Sequence, residues 1–228
     1  MKVLELFAGT RSIGREFQAR GHEVFSVEWD RRFTGIDLYA DIGKLTAGEV
    51  LERFGRPDVI WASPDCSSYS VAALGHHRDG TRPKTDYARF CDRVNEHTVD
   101  LILELGPRLW FVENPRAMMR KMPFIERLLR DGKGARHTVT YCQYGERRMK
   151  PTDIFTNHPH PCFRPPCRYG DPCHDPAPRG SKTGTQGIAG SKDRARIPAL
   201  LCRHVADICE AFAASGGRVR GSVQTPHL

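Results

Sequence analysis

Four short apolar runs constrain this chain most: residues 2–7 (KVLELF), 22–30 (HEVFSVEWD), 57–62 (PDVIWA) and 108–115 (RLWFVENP). Each has the length of a strand, and each stops at a turn or a charged group. Helical spacing fills the intervals. Residues 12–21 put Ile13 and Phe17 on one face and stop at Gly21. Residues 46–54 read as a short helix with Thr46 as its N-cap. Residues 86–105 carry the longest pattern, with Phe90, Val94, Thr98, Leu101 and Leu105 on a shared face. Two further strands are expected at 137–145 and 152–157. Strand–helix alternation of this kind predicts an α/β fold built on a doubly wound, mostly parallel sheet. Such sheets bind ligands outside the carboxyl ends of their strands. Gly9, Glu28, Asp41, Cys66 and Glu113 all collect at those ends.

Beyond residue 157 the pattern changes. Residues 158–196 are rich in Cys, Pro, Gly and basic side chains and show no period, which predicts a small loop-built annex. A closing helix is expected at 197–214, with Leu201, Val205, Ile208 and Phe212 facing the first domain (1–157); residues 215–228 read as a disordered tail. The chain has no run of roughly 18 apolar residues, so no membrane span is expected. Its first residues lack the pattern of a signal peptide, which predicts a cytoplasmic protein. The eight cysteines are then expected as free thiols, a catalytic thiol or metal ligands. A formal net charge of +8 favours polyanionic partners.

The stretch VIWASPDCSSYS (59–70) sets a thiol, Cys66, just past the end of a strand and among hydroxyls. Reactive thiols need partial exposure and a field that favours the thiolate. Asp65 opposes that field; Arg78, Arg82 and Lys84 could offset it if the polar loop at 63–85 folds over. Glu113 ends another strand, where a carboxyl beside a cleft can act as an acid or hydrogen-bond donor. The turn at Phe7–Ser12 can bring backbone N–H groups and a helix N-terminus close to a ligand. Glu28 fits an acid that grips ribose hydroxyls, and Asp41 with Ile42 could meet an adenine-like ring. In the annex, Cys162, Cys167, Cys173 and His174, with His158 and His160 nearby, have the ligand types for zinc. Their spacing is not that of paired CxxC motifs, and free thiols in a proline-rich loop are the alternative. The basic stretch with Lys192, Arg194 and Arg196 reads as phosphate-contacting or as a solvated loop.

LELFAGT, VEWD, SPDCSSYS, FVENP and YCQYGERRMKPTDIFTN occur in an order that resembles the DNA cytosine carbon-5 methyltransferases, in particular compact phage-type members. The matching segments run from about residue 2 to 157. The resemblance implies a Rossmann-like methyltransferase sheet. It implies S-adenosylmethionine as cofactor, held by Phe7, Ala8, Gly9, Thr10, Ser12, Glu28, Trp29, Asp41, Ile42 and Pro64. Cys66 is implied as nucleophile, Glu113 as the group on the cytosine ring, and Lys150 as the residue standing where an arginine often positions the base. The implied partner is double-stranded DNA with its target base flipped, the loop after Cys66 (His76, His77, Arg78, Arg82, Lys84) closing over it. A monomer is expected. The sequence departs from the common pattern at Asp65, Arg11, Pro115 and the segment Arg148-Met149-Lys150. Two alternatives stand beside this reading: an RNA substrate, and a catalytically silent DNA-binding protein.

Overall fold

The computed structural model describes residues 1–168, 170–176, 190, 193 and 195–217. The expected tail beyond residue 217 and the basic positions Lys192 and Arg194 lie outside the described residues. Among those described, a seven-stranded sheet dominates. Its strands are β1 (Lys2–Leu6), β2 (Glu23–Glu28), β3 (Leu38–Tyr39), β4 (Val59–Ala62), β7 (Leu109–Pro115), β8 (Ala135–Thr140) and β9 (Pro151–Thr156), in the order β3-β2-β1-β4-β7-β9-β8. The β3-β2-β1-β4-β7 pairings are parallel, and β9 runs antiparallel to both β7 and β8. A two-stranded hairpin, β5 (Arg78–Asp79) with β6 (Arg82–Pro83), stands apart in the loop after Cys66.

Side chains alternate between the two faces of each strand, and both faces are buried. From β1, β4 and β7, Leu4, Ile60, Trp110 and Val112 enter one core with α2 (Ala47–Arg53), α3 (Asp86–Leu105) and α4 (Pro123–Asp131). Val3, Val59, Trp61 and Phe111 enter the other, against α1 (Ser12–Ala19) and α5 (Ala199–Ala214). Helices on both faces explain the near-continuous apolar runs, because a parallel strand has no solvent side. Leu201, Val205, Ile208 and Phe212 are the buried face of α5, as its periodicity predicts. Arg20, just past α1, ties this layer to α5 through Asp207 at 2.6 Å and Glu210 at 2.9 Å.

Local chemistry sets the helix ends. Thr46 caps α2 in a reciprocal box: Glu49 N–H donates to Thr46 Oγ1, and Thr46 N–H donates to Glu49 Oε2. Thr85 accepts from the Ala88 N–H at the start of α3. The first turn of α1 is satisfied from another strand: Glu5 of β1 accepts the Gly14 N–H at 2.8 Å. A Cβ at Gly14 would lie 2.3 Å from Glu5 Oε2, so the residue has to be glycine for this cap to form.

Two expectations are corrected, and one helix is added. The strand expected at 137–145 ends at Thr140, and Tyr141–Tyr144 fold into a 3-10 turn. Helix α4 is not among the expected elements, although Pro123 at its first position and the spacing of Phe124, Ile125 and Leu128 specify it. The stripe on α3 is only half core: Thr98, Leu101 and Leu105 are buried, whereas Phe90 is 47% exposed and Val94 is partly exposed.

Glu5 gives the fold a pH dependence. Burial raises its carboxyl from an ordinary value to about 7, against hydrogen bonds from Gly14 and Ser26 and the charge of Arg11. The folded state thus holds the proton more tightly than the unfolded chain. That contribution is full below about pH 4.5 and is lost as pH rises through 7. Glu5→Gln keeps an acceptor for Gly14 and removes the charge. It is expected to flatten the fall in stability between pH 5 and pH 8 and to stabilise the protein by up to about 3 kcal/mol at the alkaline end. Urea unfolding of both proteins across that range measures it.

Candidate active site

The carboxyl ends of β1, β2, β4 and β7 converge as the topology requires. β4 ends at Ala62, and Pro64 is buried beyond it. Asp65 then bridges the Ser67 N–H and hydroxyl, while Cys66 O accepts from the N–H groups of Tyr69 and Ser70. These bonds make a tight turn with Cys66, partly exposed, at its head. Tyr69 roots the turn in the core: its ring is fully buried, and its hydroxyl donates to Asp92 of α3 at 2.7 Å.

Arg78, expected as a cation facing nucleic acid, is fully buried instead. Its guanidinium lies 4.2 Å from the Tyr69 ring centroid and is paired with Asp92; Nε donates to Ser68 O at 2.8 Å. The loop after Cys66 is therefore pinned down onto α3 by a satisfied ion pair, and this cation is spent on structure. Lys84 likewise donates to Gly75 O within the loop.

On β7, Glu113 is buried and accepts the Tyr141 hydroxyl at 3.0 Å. Its neighbour Asn114 reaches back to the thiol's turn, donating to Pro64 O at 3.0 Å; its Oδ1 is buried without a partner among the described residues. Lys150 enters β9 with a left-handed φ of 28°, its ammonium 4.5 Å from the Tyr141 ring centroid. Arg148 is buried beside the same ring and bonded to Glu146. Three charges act on the thiol. Burial is the main effect and raises the Cys66 pKa to about 11; Asp65 and Glu113 add to it, and Lys150 opposes them. Cys66, Glu113 and Lys150 thus share one electrostatic neighbourhood.

A cleft of about 380 Å³ opens beside the thiol's turn. Phe7, Trp29, Asp41, Ile42 and Pro64, all expected at a cofactor, line it. Asp65 and the α3 residues Tyr87, Phe90, Cys91, Val94 and Asn95 complete the wall, and the Tyr87 hydroxyl donates to Asp65. Trp29, 70% exposed, forms the rim. The α3 wall was missed in the sequence because Phe90 and Val94 sit in register with true core positions.

The other expected cofactor residues are placed differently. Ala8, Gly9, Thr10 and Ser12 lie behind Phe7 around a recess of about 60 Å³, closed by Ile197. Thr10 and Ser12 also border an outer groove with Arg15 and Arg196. Phe7 and Gly9 both adopt positive φ, which turns the chain sharply. Glu28 sits at this junction and accepts N–H groups from Gly9, Trp29 and Asp30. The backbone donors expected for a ligand are thus partly taken: Gly9 by Glu28, Gly14 by Glu5. Glu28 Oε2, holding one N–H, keeps capacity for a further donor. Arg11, where a glycine is common in the resembling family, turns inward to Ser26 and Gln18.

The metal expectation needs one change. Cys162 is exposed and outside the thiol cluster of the annex; Cys142, read as part of a strand, takes its place beside Cys167, Cys173 and His174.

A protein assigned as a DNA modification methyltransferase, encoded within a prophage of E. coli, superposes with a TM-score of 0.53 over 68% of this chain and 46% of its own length, at 17% identity. The chain has a Rossmann-like methyltransferase fold. The S. pombe Dnmt2 methyltransferase gives a TM-score of 0.49 at 12% identity, over 68% of this chain and 48% of that one. A mutant of the Spodoptera frugiperda DNMT2 gives 0.47 at 17% identity, over 68% and 49%. The chain spans about half the length of these neighbours. No protein-family profile and no curated protein sequence matches it. No helix among the described residues is long and apolar enough to cross a membrane.

Two outcomes are expected. Arg78→Met leaves Asp92 without its buried partner and should cost about 3 kcal/mol of unfolding free energy in urea titrations. Peptide-resolved alkylation of the native protein should show Cys66 labelling still rising with pH through 10, without a plateau, since only a thiolate reacts and its pKa is about 11.

Proposed function

We propose that this chain is an S-adenosylmethionine-dependent methyltransferase acting on carbon 5 of cytosine in DNA, with Cys66 as nucleophile. The observation that carries this reading is the grouping of a partly exposed thiol, a buried carboxyl and a lysine beside a ring-sized aromatic cleft. The motif resemblance and the methyltransferase fold point the same way.

The cleft suits the cofactor by the chemistry of its lining. A cationic adenine nucleoside calls for aromatic faces, an acid near its ring and an acid for its ribose. Trp29, Phe90 and Ile42 offer the faces, Asp41 an acceptor at the rim, and Glu28 its remaining lone pair. Phe7 and Pro64 would close the floor, with Ala8, Gly9, Thr10 and Ser12 serving the more polar end behind Phe7. When bound, S-adenosylmethionine supplies a sulfonium methyl to a carbon nucleophile.

The chain's own residues make that nucleophile. Sulfur of Cys66 adds to carbon 6 of cytosine, and the carbon 5–carbon 6 π pair shifts toward carbon 5, with negative charge shared into the ring. Glu113, fixed by Tyr141, meets ring nitrogen 3, where that charge is neutralised. After substitution at carbon 5, a base takes the proton from that carbon, and the freed C–H pair re-forms the carbon 5–carbon 6 double bond and expels the thiolate. The thiol is protonated at rest, so the thiolate has to arise in the complex. Lys150 is the cation that favours it there, against the charges of Asp65 and Glu113. The carbons involved are shielded inside a duplex, so the base must leave its stack.

The test is transfer of a labelled methyl group to DNA, run in parallel on matched RNA. Cys66→Ser is expected to abolish transfer, by at least about a thousandfold, with cofactor binding kept within about threefold. DNA carrying 5-fluorocytosine should trap the wild-type chain covalently, since fluorine does not leave as a proton. Turnover by the serine variant overturns the mechanism, and transfer to RNA alone overturns the substrate.

A further inference from the structure

Four metal-binding side chains meet outside the proposed active site, and nothing in the methyl-transfer reading uses them. Cys142 belongs to the 3-10 turn after β8; Cys167, Cys173 and His174 come from the irregular annex. Their four ligand atoms lie within 4.8 Å of one another. His174 Nδ1 is 3.6 Å from Sγ of both Cys167 and Cys173; Cys173 Sγ is 3.6 Å and Cys167 Sγ 3.1 Å from Cys142 Sγ. A tetrahedral zinc ion, with Zn–S near 2.3 Å and Zn–N near 2.0–2.1 Å, demands edges of about 3.8 Å between sulfurs and about 3.6 Å from sulfur to nitrogen. Three of the four distances stand within about 0.2 Å of those edges. The fourth is about an ångström longer than a disulfide bond, and all eight cysteines are free.

We propose that Cys142, Cys167, Cys173 and His174 form a structural zinc site that rivets the annex to the wall of the active site. Three thiols give up their protons to the solvent on binding, and His174 binds neutral through Nδ1. Soft thiolates with one imidazole select zinc over magnesium or calcium. Four protein ligands fill a tetrahedral ion and leave no open position, so the site is structural rather than catalytic.

The surroundings suit that role. Gln143 Nε2 donates to Cys173 Sγ at 3.5 Å, a bond that would orient a thiolate ligand. Cys167 N–H is held by Thr140 Oγ1 at 2.9 Å, and Asp175 N–H by Arg147 O at 2.9 Å. Residues 161–168 and 171–176 contain no helix or strand, and few of their side chains are buried. Such a segment has little apolar burial to fold it, and a metal supplies the missing free energy. The rivet also reaches the chemistry. Cys142 follows Tyr141, whose hydroxyl holds Glu113 and whose ring supports Lys150. The inference does not depend on the methyltransferase assignment.

The test uses the full chain, expressed in medium containing zinc and purified without chelators. Elemental analysis is expected to give about one zinc per chain, and mercurial titration of the thiols to release it. Cobalt substituted for zinc should give the intense visible absorption of a tetrahedral thiolate complex. Chelation should lower the melting temperature and expose Cys142, Cys167 and Cys173 to alkylation. Cys162→Ser should keep the full metal content, and Cys142→Ser should lose it. If the serine variant at 142 does not fold, the metal content and cobalt spectrum of the wild-type chain decide. Zinc below about a tenth of an equivalent, a Cys142–Cys167 disulfide found by mass spectrometry, or loss of metal in Cys162→Ser overturns the proposal.

Discussion

The buried pair between Arg78 and Asp92 is the constraint from which the site takes its shape. A guanidinium with no exposure to solvent has to be matched in charge and in hydrogen bonds, and Asp92, Ser68 and Ala88 do this. The pair joins the loop after β4 to α3, the helix that walls the cleft. Tyr69, stacked under the guanidinium and bonded to the same Asp92, carries that anchorage three residues back to Cys66. The thiol, the cleft and the long helix are thus held as one unit, while Asn114 fastens the same turn to β7.

Much of this was legible in the sequence, for a physical reason. Strands covered by helices on both faces must be apolar nearly throughout, so β1, β4 and β7 announce themselves, and the polar residues that end them fall where a parallel sheet gathers its chemistry. The Thr46 cap and the α5 face follow from equally local rules. What stayed hidden depends on contacts remote in sequence. Arg78 has the composition of a solvent-facing cation and becomes core only because Asp92 lies within reach. Phe90 keeps helical register with Thr98 and Leu105, yet faces a cleft. Cys142 alternates like a strand residue until the chain coils into a 3-10 turn, and no spacing rule links it to thiols 25 and 31 residues away.

The charges around Cys66 show how the site manages an awkward set of neighbours. Two carboxylates, Asp65 and Glu113, act against a thiolate, and a single lysine acts for it. Each carboxylate is occupied: Asp65 by the Ser67 turn and Tyr87, Glu113 by Tyr141. The lysine sits on a left-handed backbone position against the Tyr141 ring, which sets where its charge can act.

The elevated pKa of Cys66 has a consequence for durability. Peroxide and other cellular oxidants attack sulfur in its anionic form. A thiol with a pKa of about 11 presents little of that form near neutral pH. Burial, which raises the pKa of the Cys66 thiol, thereby shields its sulfur from sulfenic and sulfinic damage.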